Sequence, residues 1–267
     1  MSNGAAFGRW IFRAYMAAFF LYLFAPLAIM GAATFNTSRF PTVTPWQGTT
    51  LQWFSELFGD RNMWAALGSS ALIGVIVVAV SLPIGTAAAL LLTSLHARAK
   101  SFLYGLMVSP LLMPGVVIGI ATLVLWRQLG IGGGMFLIVV AQSSYIICYV
   151  MLMVSARLQR FDRAQEEAAL GLGASKFMVF RRVLLPFLKP ALWGAALLAL
   201  LQSVENYNTT LFVRGFETPL TIYLATKVRT GLTPSVNALA LIMILVTISC
   251  AVAFEIARRH RERQGSA

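Results

Sequence analysis

Charged residues are scarce in this sequence, and the few that occur are mostly basic. Only 11% of the 267 residues are charged and 58% are hydrophobic, with a mean hydropathy of +0.77, whereas a soluble domain carries about 25% charged residues. A single soluble core could not bury this much apolar surface, which excludes an ordinary soluble protein. Cysteine is also scarce: Cys148 and Cys250 both lie in apolar runs, which favours small core residues over a disulfide or a metal pair.

Motifs that carry chemistry are missing as well. The sequence has no phosphate-binding loop of the GxxxxGK[ST] type, no Ser/His/Asp arrangement and no cluster with metal-ligand spacing. We therefore expect no catalytic residue, cofactor or metal site, which argues against an enzyme. The net charge of +12 comes without aromatic residues interleaved in the basic tail, so we expect lipid headgroups and not nucleic acid to be the anionic partner.

Long apolar runs dominate the sequence instead. A helix needs about 20 apolar residues to cross a bilayer, and such runs lie near residues 14–33, 64–93, 102–126, 133–155, 191–213 and 236–257. The sequence therefore predicts an all-α integral membrane fold with about six transmembrane helices, preceded by residues 1–13 and followed by a basic tail, 258–267. The first run is longer than the apolar region of a signal peptide, so we expect a retained anchor.

Lysine and arginine are distributed unevenly between alternate loops. If the N-terminus is cytoplasmic, 15 of the 21 fall in cytoplasmic segments and six fall outside. The positive-inside rule thus predicts that both termini are cytoplasmic.

Prolines also interrupt the spans: Pro110 and Pro114 predict a bend in the third one, which is either a packing feature or a flexible wall of a transport path.

The longest polar interval, residues 156–189, predicts two short helices joined by a sharp turn. Asp162 is placed to cap the first helix and Gly173 to form the turn after it. Ser175 can cap the second helix, which Pro186 ends or kinks. Such an elbow suits a groove in a partner protein, although an amphipathic helix on the membrane surface is the alternative.

This interval reads Glu167-Ala168-Ala169, three residues, Gly173, nine residues and then Val183-Leu184-Leu185-Pro186. The spacing resembles the EAA motif of bacterial ABC importer permeases, EAA-x3-G-x9-I-x-L-P, and departs from it only at Val183. The resemblance implies a type I ABC importer permease fold in which residues 163–173 form a coupling helix that docks on an ATPase subunit. The coupling residues that it implies are Asp162, Arg163, Glu166, Glu167, Ala168, Ala169, Gly173 and Pro186.

Three other stretches, residues 35–53, 203–208 and 233–240, resemble permeases of the spermidine/putrescine importer family. The resemblance implies a bacterial inner-membrane protein that pairs with a second permease, expected to be a different chain. It also implies two ATPase subunits, on which ATP hydrolysis would occur, and a periplasmic substrate-binding protein.

Glu205 is the only acid deep within a predicted span. A charge at the bilayer centre costs about 2.5–3.5 kcal/mol on insertion scales, so the polar run around it should face the bundle or a wet path. We interpret this run either as a packing network between two permeases or as part of a translocation path. The candidate path residues are Ser203, Glu205, Asn206, Tyr207 and Asn208.

This polar run also departs from the polyamine pattern. Asn206, and Gly115 after the third-span proline, stand where that family often has acids. A polyamine crossing a low-dielectric path needs compensating carboxylates. Fewer acids would suit a monocation, a zwitterion or a neutral solute better, unless the partner permease supplies the missing charges.

The sequence thus indicates a permease subunit that forms half of a path for a small polar solute, either polyamine-like or a related amine or amino-acid derivative. Two other classes stay open. A secondary, ion-coupled transporter would need internal repeats and several intramembrane ionisable groups. For a non-transporting membrane scaffold, the bent third span and the polar fifth span would be unnecessary.

Overall fold

The computed structural model describes residues 2–231 and 233–264, which are helical almost throughout. Residues Ser109–Leu112 form a 3-10 turn, and residues Phe180–Leu184 form a π-turn. The α-helices in chain order are α1 (Ser2–Ala33), α2 (Gln52–Gly59), α3 (Arg61–Ser94), α4 (Ala97–Val108), α5 (Gly115–Gln128), α6 (Met135–Leu158), α7 (Arg163–Gly171), α8 (Lys176–Val179), α9 (Leu185–Val204), α10 (Thr210–Val213), α11 (Leu220–Thr230) and α12 (Pro234–Gln264).

The chain divides into two compact units, one formed by residues 1–63 and 224–267 and the other by residues 64–223. In the first unit, α12 packs against α1 and α2. The loop between α1 and α2 is organised around the buried Asn36. Its amide nitrogen donates to the carbonyl oxygen of Thr42 at 2.9 Å, and its backbone carbonyl accepts from the indole nitrogen of Trp53 at 2.7 Å. The side chain and the backbone carbonyl of Asn36 together therefore hold a loop that has no helix of its own.

The core of the second unit is built around α6. Of the four long apolar helices, α6 is the most enclosed, with 67% of its apolar window buried. It packs against α9, α5 and α10, and buried side chains of α3 such as Val77 complete the same core. Because most of α6 is apolar around its circumference, it is buried among neighbouring helices and not exposed to water. Cys148 of α6 is buried, as expected, whereas the side chain of Cys250 lies outside the described ones.

Four helical stretches are long and apolar enough to cross a bilayer: Gly8–Ala33, Arg61–Ser94, Met135–Leu158 and Lys176–Val204. The third predicted span is two helices, Arg98–Leu112 and Gly115–Gln128, bent by 102° where Pro110 and Pro114 occur. If this pair counts as one span, the described residues provide five, and Pro234–Ser249 adds a shorter apolar helix. All six apolar runs of the sequence thus recur in helices, but two of them are interrupted.

The fifth predicted span, residues 191–213, is the second interrupted one. The prediction of one continuous helix was wrong there, because α9 ends at Val204 and α10 begins only at Thr210. The side-chain oxygen of Asn206 accepts from the backbone N–H of Thr210 at 3.1 Å. Asparagine competes in this way with the backbone bonds that would continue a helix.

Of the two outcomes predicted for Pro186, an end or a kink in the second helix of the polar interval, the end was wrong. The helix that starts at Lys176 passes through the π-turn directly into α9, and the N–H of Leu185 bonds to the carbonyl of Phe180. Pro186 therefore lies within a continuous helical stretch, two residues after the π-turn. The wider π-turn before it avoids the clash that a proline makes with the preceding turn.

Candidate functional site

The polar interval forms a capped helix that projects from the ends of α6 and α9. The carboxylate of Asp162 accepts from the backbone N–H of Ala164 at 3.0 Å, which satisfies one of the free donors at the start of α7. Glu166 lies in the first turn, where the positive end of the helix dipole favours a carboxylate. Local sequence alone is thus sufficient to start this helix.

The end of α7 is a Schellman motif centred on Gly173. The N–H of Ala174 bonds to the carbonyl of Ala169 at 3.1 Å, and the N–H of Gly173 bonds to the carbonyl of Leu170 at 2.9 Å. Gly173 has φ +83°, and no heavy atom lies within 4 Å of the position that a Cβ would take. The backbone conformation therefore requires glycine here, whereas steric contact does not.

The surface of this elbow is exposed. No residue of α7 is buried, and the capped start of α8 leaves Phe177 70% exposed. Leu172, between the two helices, is 89% exposed. Exposed apolar side chains beside the two acids Glu166 and Glu167 are typical of a surface that contacts another protein.

The base of the elbow is tied to both neighbouring spans. The guanidinium of Arg157, near the end of α6, lies 4.2 Å from the ring centre of Phe187 in α9, and its Nε donates to the Phe187 carbonyl at 3.2 Å. The ring of Phe161 packs on the ring of Phe187, with the two ring centres 5.1 Å apart. Arg163 donates to the carbonyl of Thr93 at the end of α3 at 3.3 Å. The start of α7 is thus bonded directly to α3, and α6 and α9 are joined to each other where the elbow begins and ends.

A second feature is a cavity of about 320 Å³ at the interruption between α9 and α10. The bend between α4 and α5 forms one side of it, and the non-helical residues after Val204 form the other. Of the candidate path residues, Glu205, Asn206, Tyr207 and Asn208 line the cavity, as does Pro110, whereas Ser203 and Pro114 do not. The other lining residues are Leu111, Met113, Gly115, Ile118, Tyr145, Tyr149, Gln202 and Thr209.

A chain of hydrogen bonds holds the interrupted span against α6. Ser203 donates to Gln142 at 2.5 Å, and Gln142 donates to Thr210 at 2.8 Å. Thr210 donates to Asn206 at 2.9 Å, and the Asn206 amide donates to the hydroxyl of Tyr145 at 2.6 Å. These contacts lie within one chain, so Ser203 and Asn206 pack the interrupted span against α6, and a contact of this polar run with a second permease stays a prediction.

Gln142 and Tyr145 were missed in the sequence. They belong to the run Gln-Ser-Ser-Tyr, residues 142–145, in the middle of an otherwise apolar helix. Polar residues in the middle of a span are costly against lipid and should face protein or water. This run was therefore the signal that could have identified both residues.

Glu205 is exposed and is the one acidic side chain that borders the cavity. Two of its lining tyrosines, Tyr145 and Tyr149, meet edge to face with their ring centres 6.4 Å apart. A carboxylate beside aromatic rings is an arrangement that attracts an organic cation. Among the described residues, no group of three or more His, Cys, Asp or Glu side chains could hold a metal ion.

Gly115 shows why an acid is absent at that position. A Cβ on Gly115 would lie 2.8 Å from the hydroxyl oxygen of Thr209, and one on Gly119 would lie 2.7 Å from the Thr209 carbonyl oxygen. The α5 helix thus presents two glycines one turn apart to Thr209 of the interrupted span, Gly115 to its hydroxyl and Gly119 to its backbone carbonyl. An acidic side chain at residue 115 would separate these two segments.

Comparison with known proteins gives consistent matches. Residues 81–264 match the family described as "Binding-protein-dependent transport system inner membrane component". The spermidine/putrescine transport system permease protein PotC of Escherichia coli K12 is 32% identical over 259 residues, which cover 96% of this chain and 97% of that protein. The putrescine transport system permease protein PotI of the same strain is 34% identical over 233 residues, which cover 84% and 82%.

Solved structures show the same fold. A chain of a bacterial ABC transporter involved in the import of the acidic polysaccharide alginate superposes with a TM-score of 0.69 at 16% identity, covering 97% of this chain and 98% of that one. A chain of the MetNI methionine ABC transporter superposes with a TM-score of 0.56 at 19% identity, covering 79% and 97%. The fold is therefore that of a type I ABC importer permease, as the EAA spacing predicted.

Proposed function

Since this chain belongs to the family of binding-protein-dependent transport system inner membrane components, we propose that it is the permease subunit of an ATP-driven importer and forms half of its translocation path. Its partners would be two ATPase subunits that hydrolyse the ATP, a second permease of different sequence and a periplasmic binding protein that delivers the solute. Both termini would face the cytoplasm, on the same side as the elbow. An ion-coupled carrier or a scaffold has no comparable support.

The observation that carries this proposal is the elbow formed by α7 and α8. Its helix is capped at both ends by local residues, has no buried residue and is bonded to the end of α3 through Arg163. At its base, Arg157 of α6 is bonded to Phe187 of α9, so a partner that moved α7 would act on α3 directly and on α6 and α9 through the segments that join them to the elbow. We infer that Asp162, Arg163, Glu166, Glu167, Ala168, Ala169, Gly173 and Pro186 contribute to this coupling segment.

Charge reversal on the elbow tests the coupling role. Glu167→Lys is expected to lower ATP-dependent uptake by the reconstituted importer. It should also lower the amount of ATPase subunit that stays bound during purification. Glu56→Lys is the matched control, because Glu56 is also exposed but lies on α2, outside the elbow. Unchanged uptake by an intact Glu167→Lys complex would show that α7 is not the coupling segment.

The cavity beside Glu205 is the proposed contact site for the solute. It places one carboxylate among the tyrosines 145, 149 and 207 and neutral amide groups. One carboxylate can balance one ammonium group, and the aromatic faces add cation–π attraction. Together with the names of the relatives PotC and PotI, this favours a polyamine-like amine whose further charges are met by the second permease.

Neutralising Glu205 tests the site. Glu205→Gln is expected to reduce uptake of putrescine and spermidine about tenfold, since a hydrogen bond to a charged group contributes about 1.5–3 kcal/mol. Gln202→Ala, which changes the lining of the same cavity without changing its charge, should have a smaller effect. If Glu205→Gln transports both amines normally, the carboxylate has no role in the path. A monoamine, an amino-acid derivative and a sugar should be compared in the same assay.

A further inference from the structure

A groove in the second unit lies outside the translocation path and the exposed surface of the elbow, although Pro186 of the coupling segment borders it. Its volume is about 570 Å³, and it runs between α3 and the helical stretch Lys176–Val204. Its surface is apolar apart from two cationic side chains. The residues that matter for its chemistry are Val78, Leu82, Leu185, Trp193, Arg181 and Lys189.

The groove has a polar and an apolar end. Arg181, Leu185, Lys189 and Trp193 follow one another at intervals of four residues, which places them along one face of a helix. The two cations precede Trp193 and lie toward the elbow, where the span begins. Among the residues that the structure describes, no carboxylate lines the groove. Its chemistry is therefore complementary to an amphiphile with an anionic head and an apolar tail.

The length of the groove matches one leaflet of a bilayer. From Arg181 to Ala196, the helix rises by roughly 22 Å at 1.5 Å per residue. A bilayer with its headgroup regions is about 40–45 Å thick, so one leaflet is roughly 20–22 Å. A phospholipid in this groove would have its headgroup beside Arg181 and its acyl chain ends near Ala196.

We propose that this groove is a binding site for one anionic phospholipid. Its phosphate contacts Arg181 and Lys189, and an acyl chain packs along Val78, Leu82 and the indole of Trp193. Trp193 is 70% exposed and available for this contact. Because Arg181 lies in the π-turn between the elbow and α9, the bound lipid braces the segment through which the elbow joins the span.

A lipid fits this groove better than a protein surface does. A protein covering Arg181 and Lys189 would remove two cations from water, and the groove offers no carboxylate to offset that cost. A phospholipid phosphate instead stays at the membrane–water boundary, where long basic side chains can reach it. Lys and Arg at such a boundary are attracted to anionic lipid by about 1 kcal/mol each.

Quenching of Trp193 fluorescence tests the proposal. The full-length chain, purified with its partner subunits, is reconstituted in phosphatidylcholine vesicles that contain either brominated phosphatidylglycerol or brominated phosphatidylcholine. The Trp193→Phe variant is measured in parallel, so that the difference isolates one of the six tryptophans. We expect Trp193 to be quenched more strongly by the brominated anionic lipid than by the same fraction of brominated neutral lipid.

Arg182, next to Arg181 in the chain, provides the matched control for the two cations of the groove. Arg181→Gln and Lys189→Gln should each weaken the apparent affinity for phosphatidylglycerol by about fivefold. Arg182→Gln removes the same charge from an exposed side chain that does not line the groove, and it should leave the quenching unchanged. An equal loss of apparent affinity in all three variants would mean that the cations attract the membrane diffusely, and it would overturn the proposed site.

Two further outcomes would also overturn it. One is equal quenching of Trp193 by the two brominated lipids. The other is weakened co-purification of the second permease in the Arg181→Gln/Lys189→Gln double variant while the lipid preference stays unchanged, which would identify the groove as a subunit interface. Neither readout depends on uptake, so this proposal can fail while the importer function holds.

Discussion

Replacing Gly173 by alanine changes the elbow without creating any steric contact. Gly173 has φ +83°, and the space around its missing Cβ is open. A residue with a Cβ loses about 1–2 kcal/mol in this left-handed conformation, and the smaller entropy of the unfolded chain returns about 0.4–1 kcal/mol. We expect Gly173→Ala to destabilise the closed Schellman turn by about 1 kcal/mol, which lowers its population relative to open forms about fivefold.

Gly171 provides the control for this prediction. It also has open space around its missing Cβ, but it lies within α7 and has no positive φ. Alanine stabilises a helical position by up to about 1 kcal/mol relative to glycine. Gly171→Ala should therefore leave the elbow intact or strengthen it, and Gly173→Asn should be milder than Gly173→Ala because asparagine tolerates the left-handed region.

Hydrogen exchange is the direct assay for the turn. In the native turn, the amide of Gly173 bonds to the carbonyl of Leu170 and the amide of Ala174 to that of Ala169. In Gly173→Ala, the amides at these two positions should exchange about fivefold faster. ATP-dependent uptake by the reconstituted complex should fall, with assembly unchanged. Identical exchange and uptake in Gly173→Ala and Gly171→Ala would refute the reasoning, since it would show that the elbow does not depend on a left-handed residue.

Three further predictions concern single contacts. Asn206→Ala removes the acceptor of Thr210 and the donor to Tyr145. The thermal unfolding midpoint should fall as expected for a decrease of about 2–3 kcal/mol in the free energy of unfolding. Asn208→Ala, the control, should change the midpoint little. Gly119→Ala places a methyl group 2.7 Å from a backbone carbonyl and should lower the yield of folded protein in size-exclusion chromatography, whereas Gly105→Ala, with open space around it, should not. Asp162→Ala should weaken α7 by about 1 kcal/mol in hydrogen exchange, and Asp162→Ser should restore it; equal exchange in both variants would argue against the cap.

Local features of the elbow could be predicted from the sequence because they depend on neighbours in the chain. The Asp162 cap bonds to a residue two positions away, and the turn at Gly173 uses bonds across three and five positions. Such contacts form within one helical turn, whatever the rest of the molecule does. The effect of Pro186 was harder to predict, because the preceding π-turn is an alternative that the residue pattern does not distinguish from a helix end.

The sequence by itself determined that this protein lies in a membrane, that it is helical, and where its elbow begins and turns, since hydrophobicity and capping are properties of short segments. Tertiary structure alone decided which polar residues of different spans meet. Gln142 and Thr210 are 68 positions apart, and their contact arises because α6 is enclosed by α5, α9 and α10. The same packing interrupts the fifth span beside Glu205, and the position of α3 beside the start of α9 forms the groove around Trp193. Pairing between distant spans depends on how helices fill space around one another, which no single segment encodes.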